Sequence, residues 1–377
     1  MGRPHDDLGD DPHDGLGDDP DDGPDGGALG DGPATWTVDA AEDGLPLLSA
    51  LAERLPDRTT AGLRALARDG GATVNGRPAG PGQALAAGDV VAVDPDALAD
   101  APRIEPAPLE GFAVLHEDAH VLACQKPAGV SVESERGQDD RPFLGAVLHH
   151  LLAARGDRGG RPPRPRVAHR LDKDTTGVVL VAKTRAGLQA LTAAFEARAV
   201  EKEYLALVLG RVEDDAGVVD APTAAPRPGG GTAGPETERE ARTRWEVAER
   251  FGAHTLVRAF PESGRTHQIR QHLAALGHPL AVDPQYGGGA RLLLSQLKRG
   301  YRPPREGEER PLLDRLSLHA RRVTFVTPDG GREVTVEAPP PRDLEVALRQ
   351  LRRWDPPEGQ GARGGRAEPG PRARRRR

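Results

Sequence analysis

A charged turn followed at once by an apolar run constrains this chain more than any other feature. The segment from Arg166 to Thr184 reads RVAHRLDKDTTGVVLVAKT, and it contains the uninterrupted apolar run Val178–Ala182. Such a run directly after a glycine predicts a short buried strand. Asp172 therefore lies on a turn just ahead of core structure, where a carboxylate can be held rigidly and still reach a ligand.

Three interpretations of Asp172 stay open from the residues alone. Asp is among the commonest turn residues, so Asp172 and Asp174 could simply cap the turn. The string from Asp172 to Thr176 also fits the Asp-x-Asp-x-Thr pattern of haloacid-dehalogenase-type phosphatases, which use magnesium; in that family, however, the strand precedes the first Asp. The third interpretation is a binding or catalytic site, because a dense set of charged groups beside an apolar strand is unusual for a solvated loop.

Length and composition set the outer limits. A chain of 377 residues can hold two domains and a sizeable core. The single cysteine, Cys124, excludes an internal disulfide and a multi-cysteine zinc site, which fits a reducing compartment. No apolar run approaches the roughly 18 to 20 residues that span a bilayer, and the N-terminus lacks the features of a signal peptide. These observations predict a soluble, cytoplasmic protein without a membrane partner.

The charge is concentrated at the two ends of the chain. Residues 1–34 hold 11 Asp against one Arg, and residues 356–377 hold seven Arg against two Glu. The whole chain carries −7, so a head at −10 and a tail at +5 leave residues 35–355 at only −2. Neither end has enough apolar residues to fold, which predicts an acidic disordered head over 1–34 and a basic disordered tail over 356–377. The tail could touch RNA phosphates or remain solvated.

A compact module is predicted over residues 35–95. Leu48, Leu51 and Leu55 recur at helical spacing, a second helix is predicted from Thr60 to Arg68, and strands are predicted around Val74 and over 88–93. Residues 96–110 are rich in Ala, Pro and Asp, which is typical of a linker. A larger domain is then predicted over 111–355.

The larger domain opens with a predicted hairpin, Phe112–His116 and Val121–Cys124, followed by a rigid turn over Lys126–Val130 and a helix around Leu148. Five arginines then lead into the central turn, and they are candidates for backbone-phosphate contacts or for a plain solvated loop: Arg155, Arg158, Arg161, Arg164 and Arg166.

Two later segments complete the pattern. Lys202–Gly210 predicts a strand in which Tyr204 could be a core aromatic, and 212–241 is predicted to be irregular. In the string Gly264–Leu280, Thr266 is the predicted N-cap and Gly277 the end of a helix. Its histidines at 267 and 272 do not share a helical face, which argues against a metal site.

These strings together resemble the RluA family of pseudouridine synthases. His169–Gly177 is similar to the family string HRLDxxTSG, with Thr176 where Ser is commoner, and Gly264–Leu280 is similar to GRTHQIRxHLaaLGHPl. Further similar strings cover about residues 108–355: Lys126–Val130, Lys202–Gly210, Asp283–Gly287, which follows Val282 in place of Gly, and Leu318–Ala320. The module over 35–95 resembles the S4 RNA-binding domain, although residues 36–95 carry a net charge of −3.

The resemblance implies an α+β fold with a central mixed, largely antiparallel sheet, preceded by a small S4-like α/β module. It implies an isomerase that breaks the uracil N1–C1′ bond of a uridine in structured RNA and rejoins the base through C5, without cofactor or metal. Ribosomal RNA is the first expected substrate and transfer RNA the second, and the expected state is a monomer. The target must lie in a loop or be flipped out.

The resemblance also assigns roles to residues. Asp172 is the expected catalytic carboxylate, acting by covalent addition to C1′ or by removing the C2′ proton. Arg270 is its expected partner in two-point geometry, and Tyr204 is expected to stack on the base and serve C5 deprotonation. Substrate contacts are expected from His169, Arg170, Thr175, Lys202, Arg265, His267 and Gln268, and in the S4-like module from Arg64 and Arg68, with Arg58 in the same patch.

A non-catalytic RNA-binding or ribosome-assembly protein that keeps this fold is the alternative. The joint presence of Asp172, Tyr204 and Arg270 argues against it, because a protein without chemistry to perform has no need of all three.

Overall fold

The computed structural model describes residues 34–55, 58–101, 103–132, 142–156, 165–224, 238–302, 307–329 and 331–357. The predicted acidic head and basic tail lie almost wholly outside these ranges. So do Arg158, Arg161 and Arg164 of the arginine-rich segment and much of the segment predicted to be irregular.

Within the described residues the chain forms fourteen strands and eight helices. Their bounds in chain order are β1 Ala34–Thr37, α1 Leu47–Arg54, α2 Thr60–Arg68, β2 Ala72–Val74, β3 Arg77–Pro78, β4 Val90–Val93, α3 Pro95–Ala99, β5 Ala113–Glu117, β6 Val121–Lys126, α4 Pro142–Arg155, β7 Arg166–Val167, β8 Thr176–Ala182, α5 Arg185–Glu196, β9 Glu201–Leu209, β10 Ala216–Asp220, β11 Arg242–Arg250, β12 His254–Pro261, α6 Gln268–Ala275, α7 Leu294–Leu297, β13 Leu318–Val326, β14 Glu333–Glu337 and α8 Arg342–Trp354.

The first 60 or so described residues form their own sheet and core. The sheet has the strand order β1-β4-β2-β3, and α1 and α2 pack on it around fully buried Leu47, Leu51 and Leu63. Helix α2 begins where predicted because the Thr59 hydroxyl accepts a hydrogen bond from Gly62 N at 3.0 Å. The S4-like character of this module stays a prediction.

The predicted linker is partly helical. Helix α3 occupies its first residues, Leu98 packs against the core of the first module, and Ala101 is buried in it. Ile104, three residues later, already belongs to a core of the larger sheet. The two cores are therefore joined by very little chain.

The larger sheet has ten strands in the order β10-β11-β12-β9-β13-β8-β6-β5, with β14 paired to β13 and β7 paired to β8. Among the described strands of this sheet, only β8 and β13 pair in parallel, through His319 with Thr176 and Ala320 with Gly177. The other pairings of this sheet are antiparallel. The prediction of a mixed, largely antiparallel sheet in an α+β fold is confirmed.

Helices cover both faces of this sheet. Every residue of β8 is buried. Its odd-numbered Val179 and Val181 belong to the core under α4, and its even-numbered Val178 and Leu180 belong to the core that includes Leu191 of α5. Strand β8 is therefore apolar throughout because alternate side chains point to two different cores.

The other half of the sheet repeats this arrangement. Leu205 and Leu207 of β9 share a core with α8, whereas Ala206 and Val208 share one with Ile269 and other residues of α6. Helices α6 and α8 therefore lie on opposite faces of the sheet.

Gly177 is the point where the central turn enters the sheet. Its φ is +121°, and a Cβ atom there would lie 2.1 Å from the Ala320 carbonyl oxygen of β13. The parallel pairing of β8 with β13 therefore requires glycine at this position.

We expect Gly177→Ala to lower the free energy of unfolding by about 3 kcal/mol or more, because it combines left-handed strain with a clash against backbone. Gly277→Ala is the matched control, since Gly277 also has a positive φ, +83°, but has open space around the missing Cβ. It should cost about 1 kcal/mol. Urea unfolding followed by circular dichroism measures both, and equal losses would contradict the steric argument.

Candidate active site

A cavity of about 410 Å³ lies between the central turn, strand β9 and the start of α6. Ten of the twelve residues predicted as site residues line it: His169, Arg170, Asp172, Thr175, Lys202, Tyr204, Arg265, His267, Gln268 and Arg270. The other two, Arg64 and Arg68, are exposed on α2 of the first module and do not line this cavity.

The expected arginine patch of the first module is reduced by one member. Arg58 is only 5% exposed, and its Nη1 donates to the Ala101 carbonyl oxygen at 2.6 Å. The guanidinium holds the chain after α3 and is not available to a phosphate, so the prediction for Arg58 was wrong.

The start of α6 also differs from the prediction. The helix begins at Gln268, and the preceding His267 adopts a left-handed conformation with φ +55° and makes no side-chain cap. Thr266 is therefore not the N-cap. A left-handed non-glycine residue is strained, and here the strain places His267 and Arg270 at the N-terminal end of the helix beside Asp172. Gly277 does follow the end of the helix, with φ +83°.

Arg270 is shared between two carboxylates. Its Nη1 donates to Asp172 Oδ2 at 3.1 Å, whereas its Nε and Nη2 donate to the two oxygens of Asp283 at 2.7 and 2.8 Å. The expected two-point geometry exists, but it is directed at Asp283, so that prediction was wrong for Asp172. Asp172 receives a single N–H on one oxygen.

This arrangement is largely buried. The side chain of Asp283 is 0% exposed, that of Arg270 7% and that of Asp172 21%. Burial lowers the pKa of Arg270, but the hydrogen bonds and charges of Asp283 and Asp172 outweigh it and raise the pKa overall. Arg270 therefore stays charged, and a buried guanidinium with these partners is rigid.

His267 faces the other oxygen of Asp172. Its Nε2 lies 3.8 Å from Asp172 Oδ1, which is too far for a hydrogen bond, and its Nδ1 lies 3.0 Å from the Tyr286 hydroxyl. Burial lowers the pKa of His267 despite the opposing charge of Asp172. Burial therefore favours the neutral imidazole, and Oδ1 of Asp172 has no hydrogen-bond partner among the described residues.

Tyr204 lies on β9 opposite Ala259 of β12 and Ala320 of β13, and its ring packs against two of the cores. Burial, with the charge of Asp172, raises the pKa of its phenol. Tyr204 thus contributes an aromatic surface and a protonated hydroxyl to the cavity.

Two of the predicted substrate contacts are engaged by the protein itself. The Gln268 amide donates to Arg242 O and Thr243 Oγ1 and accepts from Ser263 Oγ and Arg265 N. His169 Nε2 accepts from Leu180 N at 2.9 Å, so its proton is on Nδ1. Burial, with the charge of Lys202, lowers the pKa of His169 to about 3. Gln268 and His169 therefore shape the wall of the cavity.

The remaining predicted contacts offer polar groups to a ligand. Arg170 and Arg265 are exposed at the cavity rim. Lys202 donates to the Ser263 carbonyl oxygen at 3.1 Å, and burial lowers its pKa to about 8. The Thr175 hydroxyl is buried with no hydrogen-bond partner among the described residues. An unpaired buried hydroxyl in a cavity wall is unfavourable unless a ligand pairs with it.

Lys126, which is 0% exposed, anchors the turn that carries Asp172. Its ammonium donates to the carbonyl oxygens of Pro127, Val130 and Lys173 at 2.8 to 2.9 Å. Burial lowers the pKa of Lys126 to about 7, but only the ammonium form has three N–H donors for three acceptors. Lys126 thus ties two turns together.

A second buried link joins the end of the turn to β13. The Thr176 hydroxyl lies 2.9 Å from His319 Nδ1, and His319 Nε2 lies 3.1 Å from the Ala338 carbonyl oxygen. The carbonyl can only accept, so Nε2 carries the proton and Nδ1 accepts from Thr176. Burial lowers the pKa of His319 to about 4, which keeps this tautomer neutral.

Four residues that support the site were not predicted from the sequence: Asp283, Tyr286, Lys126 and His319. All four lie in strings that were recognised as similar to the family, so a signal was present. Each acts through another residue, and the partner that it holds is distant in sequence. A pattern along the chain does not report such pairs.

Comparison with known proteins identifies the family. Residues 120–275 match the family model for RNA pseudouridylate synthase. Ribosomal large subunit pseudouridine synthase D of Xanthomonas campestris pv. campestris is 35% identical over 311 residues, which are 80% of this chain and 87% of the relative. The chain belongs to the RNA pseudouridylate synthase family, and the prediction of a uridine isomerase is confirmed.

Two further similarities come from other sources. An uncharacterized RNA pseudouridine synthase of Mycobacterium bovis is 36% identical over 76% of this chain and 88% of the relative. A solved structure of the human RNA pseudouridylate synthase domain containing 4 protein covers 64% of this chain and 93% of its own, with 24% identity and a TM-score of 0.48.

Among the described residues, no three or more His, Cys, Asp or Glu side chains are placed to hold a metal ion. The helices in the same ranges are all too short or too polar to cross a membrane.

We expect Lys126→Met to lower the free energy of unfolding by about 3 kcal/mol, because it removes three buried hydrogen bonds to carbonyl groups, of which that of Lys173 keeps Gly129 N as a donor. Lys183→Met is the matched control. Lys183 also donates to a carbonyl oxygen, that of Asp118, and pairs with Glu117, but its side chain is 22% exposed. That change should cost less than about 1 kcal/mol. Urea unfolding measures both, and similar losses would show that Lys126 is not a special anchor.

Proposed function

We propose that this protein isomerises specific uridines of ribosomal RNA to pseudouridine, with Asp172 as the catalytic carboxylate. The observation that carries the proposal is the asymmetry of Asp172, which lines the cavity: Oδ2 is held by the buried Arg270, whereas Oδ1 has no hydrogen-bond partner among the described residues. The ribosomal substrate is supported by the name of the Xanthomonas relative, of which the chain matches 87%.

In this proposal Oδ1 of Asp172 is the reacting atom. It either adds to C1′ while the N1–C1′ bond breaks and the electron pair stays on the uracil, or removes the proton from C2′. Both routes need an ionised carboxylate. The Arg270 guanidinium lies beside this carboxylate and donates to its Oδ2.

Tyr204 supplies the surface on which the free uracil turns. The base must rotate between breaking N1–C1′ and forming C5–C1′, and an aromatic ring holds a flat base without fixing its angle. The phenol can accept the C5 proton only while it gives up its own. We propose Asp172 as the acceptor of the phenol proton once the C5–C1′ bond has freed its carboxylate.

The cavity fits one nucleotide removed from a helix. Its volume of about 410 Å³ is within the range of small-ligand pockets, and a base stacked in a duplex cannot reach Asp172. The target uridine is therefore in a loop or flipped out. Thr175, Lys202 and Arg170 line the same cavity and are proposed contacts to the flipped nucleotide.

Transfer RNA is the second candidate substrate, with the same chemistry and a different loop. We also propose that the protein acts as a cytoplasmic monomer and needs no cofactor, and that Arg64 and Arg68 on the exposed side of α2 touch the RNA beyond the cavity.

We expect Asp172→Ala to abolish pseudouridine formation. The wild type and the variant are produced in a bacterial host that lacks its own large-subunit pseudouridine synthases, and pseudouridine is mapped across total RNA by carbodiimide-based sequencing. Discrete sites should appear with the wild type and disappear with Asp172→Ala. Asp174→Ala is the control in the same turn, and it should keep the sites because Asp174 does not line the cavity.

The map also distinguishes the alternatives. Sites in ribosomal RNA support the proposed substrate, and sites in transfer RNA replace it with the second candidate. If the wild type makes no pseudouridine but wild type and Asp172→Ala pull down equal amounts of the same RNA, the protein is the non-catalytic RNA-binding protein of the alternative hypothesis.

We expect Arg265→Ala to weaken RNA binding without changing which site is modified, because an exposed rim arginine contacts phosphate rather than a base edge. The slope of log affinity against log salt should fall in magnitude by about one. Arg349→Ala is the control, because Arg349 is equally exposed but lies on α8, on the opposite face of the sheet from α6. Filter binding at several salt concentrations measures both, and equal slopes for the two variants would argue against the contact.

A further inference from the structure

We infer that the turn Asp283–Tyr286 positions the two groups that face the oxygens of Asp172 through two arms, one from Asp283 to Arg270 and one from Tyr286 to His267. The inference rests on the proposed role of Asp172 and deepens it. Neither Asp283 nor Tyr286 lines the cavity, so both are positioning residues.

The first arm fixes the direction of the Arg270 guanidinium. The Asp283 carboxylate accepts hydrogen bonds from Nε and Nη2 of Arg270 at 2.7 and 2.8 Å, and Gln285 Oε1 accepts from the same Nη2 at 3.0 Å. Only Nη1 is left for Asp172, at 3.1 Å from Oδ2. If the full fork of Arg270 faced Asp172, it would occupy both carboxylate oxygens. Asp283 therefore keeps Oδ1 free to react.

The second arm fixes the imidazole that faces Oδ1. The Tyr286 hydroxyl lies 3.0 Å from His267 Nδ1, and the two rings meet edge to face with centroids 5.6 Å apart. The Arg270 guanidinium lies over the same tyrosine ring, 4.9 Å from its centroid. Tyr286 therefore contacts both groups that face Asp172, and it keeps the strained His267 out of hydrogen-bond range of Oδ1.

The turn is rigid enough for this task. Asp283 N donates to the Gly289 carbonyl oxygen, and Tyr286 N and Gly288 N both donate to the Asp283 carbonyl oxygen. A Cβ atom at Gly288 would lie 2.1 Å from the Leu280 carbonyl oxygen, so the backbone at Gly288 packs directly against that of Leu280. Backbone bonds and close contact therefore fix the base of both arms.

Sharing the guanidinium also sets the charge at Asp172. One positive charge serves two carboxylates, so each is only partly compensated. Lys126, Tyr204, His267 and Tyr286 are further ionisable groups that interact electrostatically with Asp172. All four are unchanged in the variants at residues 283 and 285, so a change in the pH profile of either variant reports the change at that residue.

The test uses two isosteric changes with opposite charge effects. Asp283→Asn removes a negative charge from Arg270, so the acidic limb of the kcat profile against pH should move down by about one pH unit. Gln285→Glu adds a negative charge on the same guanidinium, so the limb should move up by a similar amount. Asp283→Asn should also lower kcat at pH 7.5 about tenfold, with KM within threefold of wild type, because Arg270 turns its fork toward Asp172.

The control is Glu345→Gln, a neutralised exposed carboxylate on α8, which should leave the profile unchanged. The assay is tritium release from RNA labelled at uridine C5, at saturating RNA over the pH range. An acidic limb that stays in place in both variants, or moves the same way in both, overturns the inference. If Asp283→Asn does not fold by circular dichroism, the direction of the shift in Gln285→Glu decides.

Tyr286→Phe tests the second arm. It keeps the ring under Arg270 and removes only the hydroxyl that reaches His267. We expect kcat to fall about fivefold with KM unchanged, and an unchanged kcat overturns this arm. A wild type that forms no pseudouridine defeats the proposed function itself, whereas an active wild type with variants that do not respond defeats only this inference.

Discussion

The guanidinium of Arg270 is the interaction on which the site depends. It is nearly buried between two carboxylates, one of them fully buried. A buried charge is unfavourable unless its partners are fixed in good geometry. Asp283 meets that requirement with a two-point pair, and this allows Asp172 to keep a single hydrogen bond and an open oxygen. Asp283 thus stabilises the buried guanidinium, and Asp172, the proposed catalytic carboxylate, keeps one oxygen without a hydrogen bond.

The rest of the larger domain holds Asp172 where Arg270 can reach it. The turn before β8 would move easily if it were only a loop. Three carbonyl contacts from Lys126, the Thr176–His319 hydrogen bond and the close approach of Gly177 to β13 remove that freedom. Apart from the Lys126 bonds to Pro127 and Val130, these contacts join residues far apart in the chain. The turn that carries Asp172 is rigid because its anchors are buried rather than because its own sequence is stiff.

Much of this could be predicted from the sequence, and the failures have a common cause. The strand after Gly177 and the helix Thr60–Arg68 follow from local patterns, and the residues that line the cavity follow from family strings. The two-point partner of Arg270, the role of Arg58 and the cap of α6 did not follow. In each case the folded structure selected between two options that the sequence left open. Arg270 makes its two-point pair with Asp283 rather than with Asp172, and Arg58 donates to a carbonyl oxygen rather than to a phosphate. The N-cap position of α6 is occupied by the strained His267 rather than by Thr266.

The parallel pairing of β8 with β13 explains why the halves of the site come from distant segments. Asp172 precedes β8, whereas Arg270 and Asp283 lie between β12 and β13. Strand β9 pairs antiparallel with β13 and carries Tyr204 into the same region, opposite Ala320. Three segments thus converge at one end of the β8–β13–β9 group. An antiparallel β8 would carry Thr176, and with it Asp172, to the other end of β13. The one parallel pairing in the sheet is therefore what brings the carboxylate to its arginine.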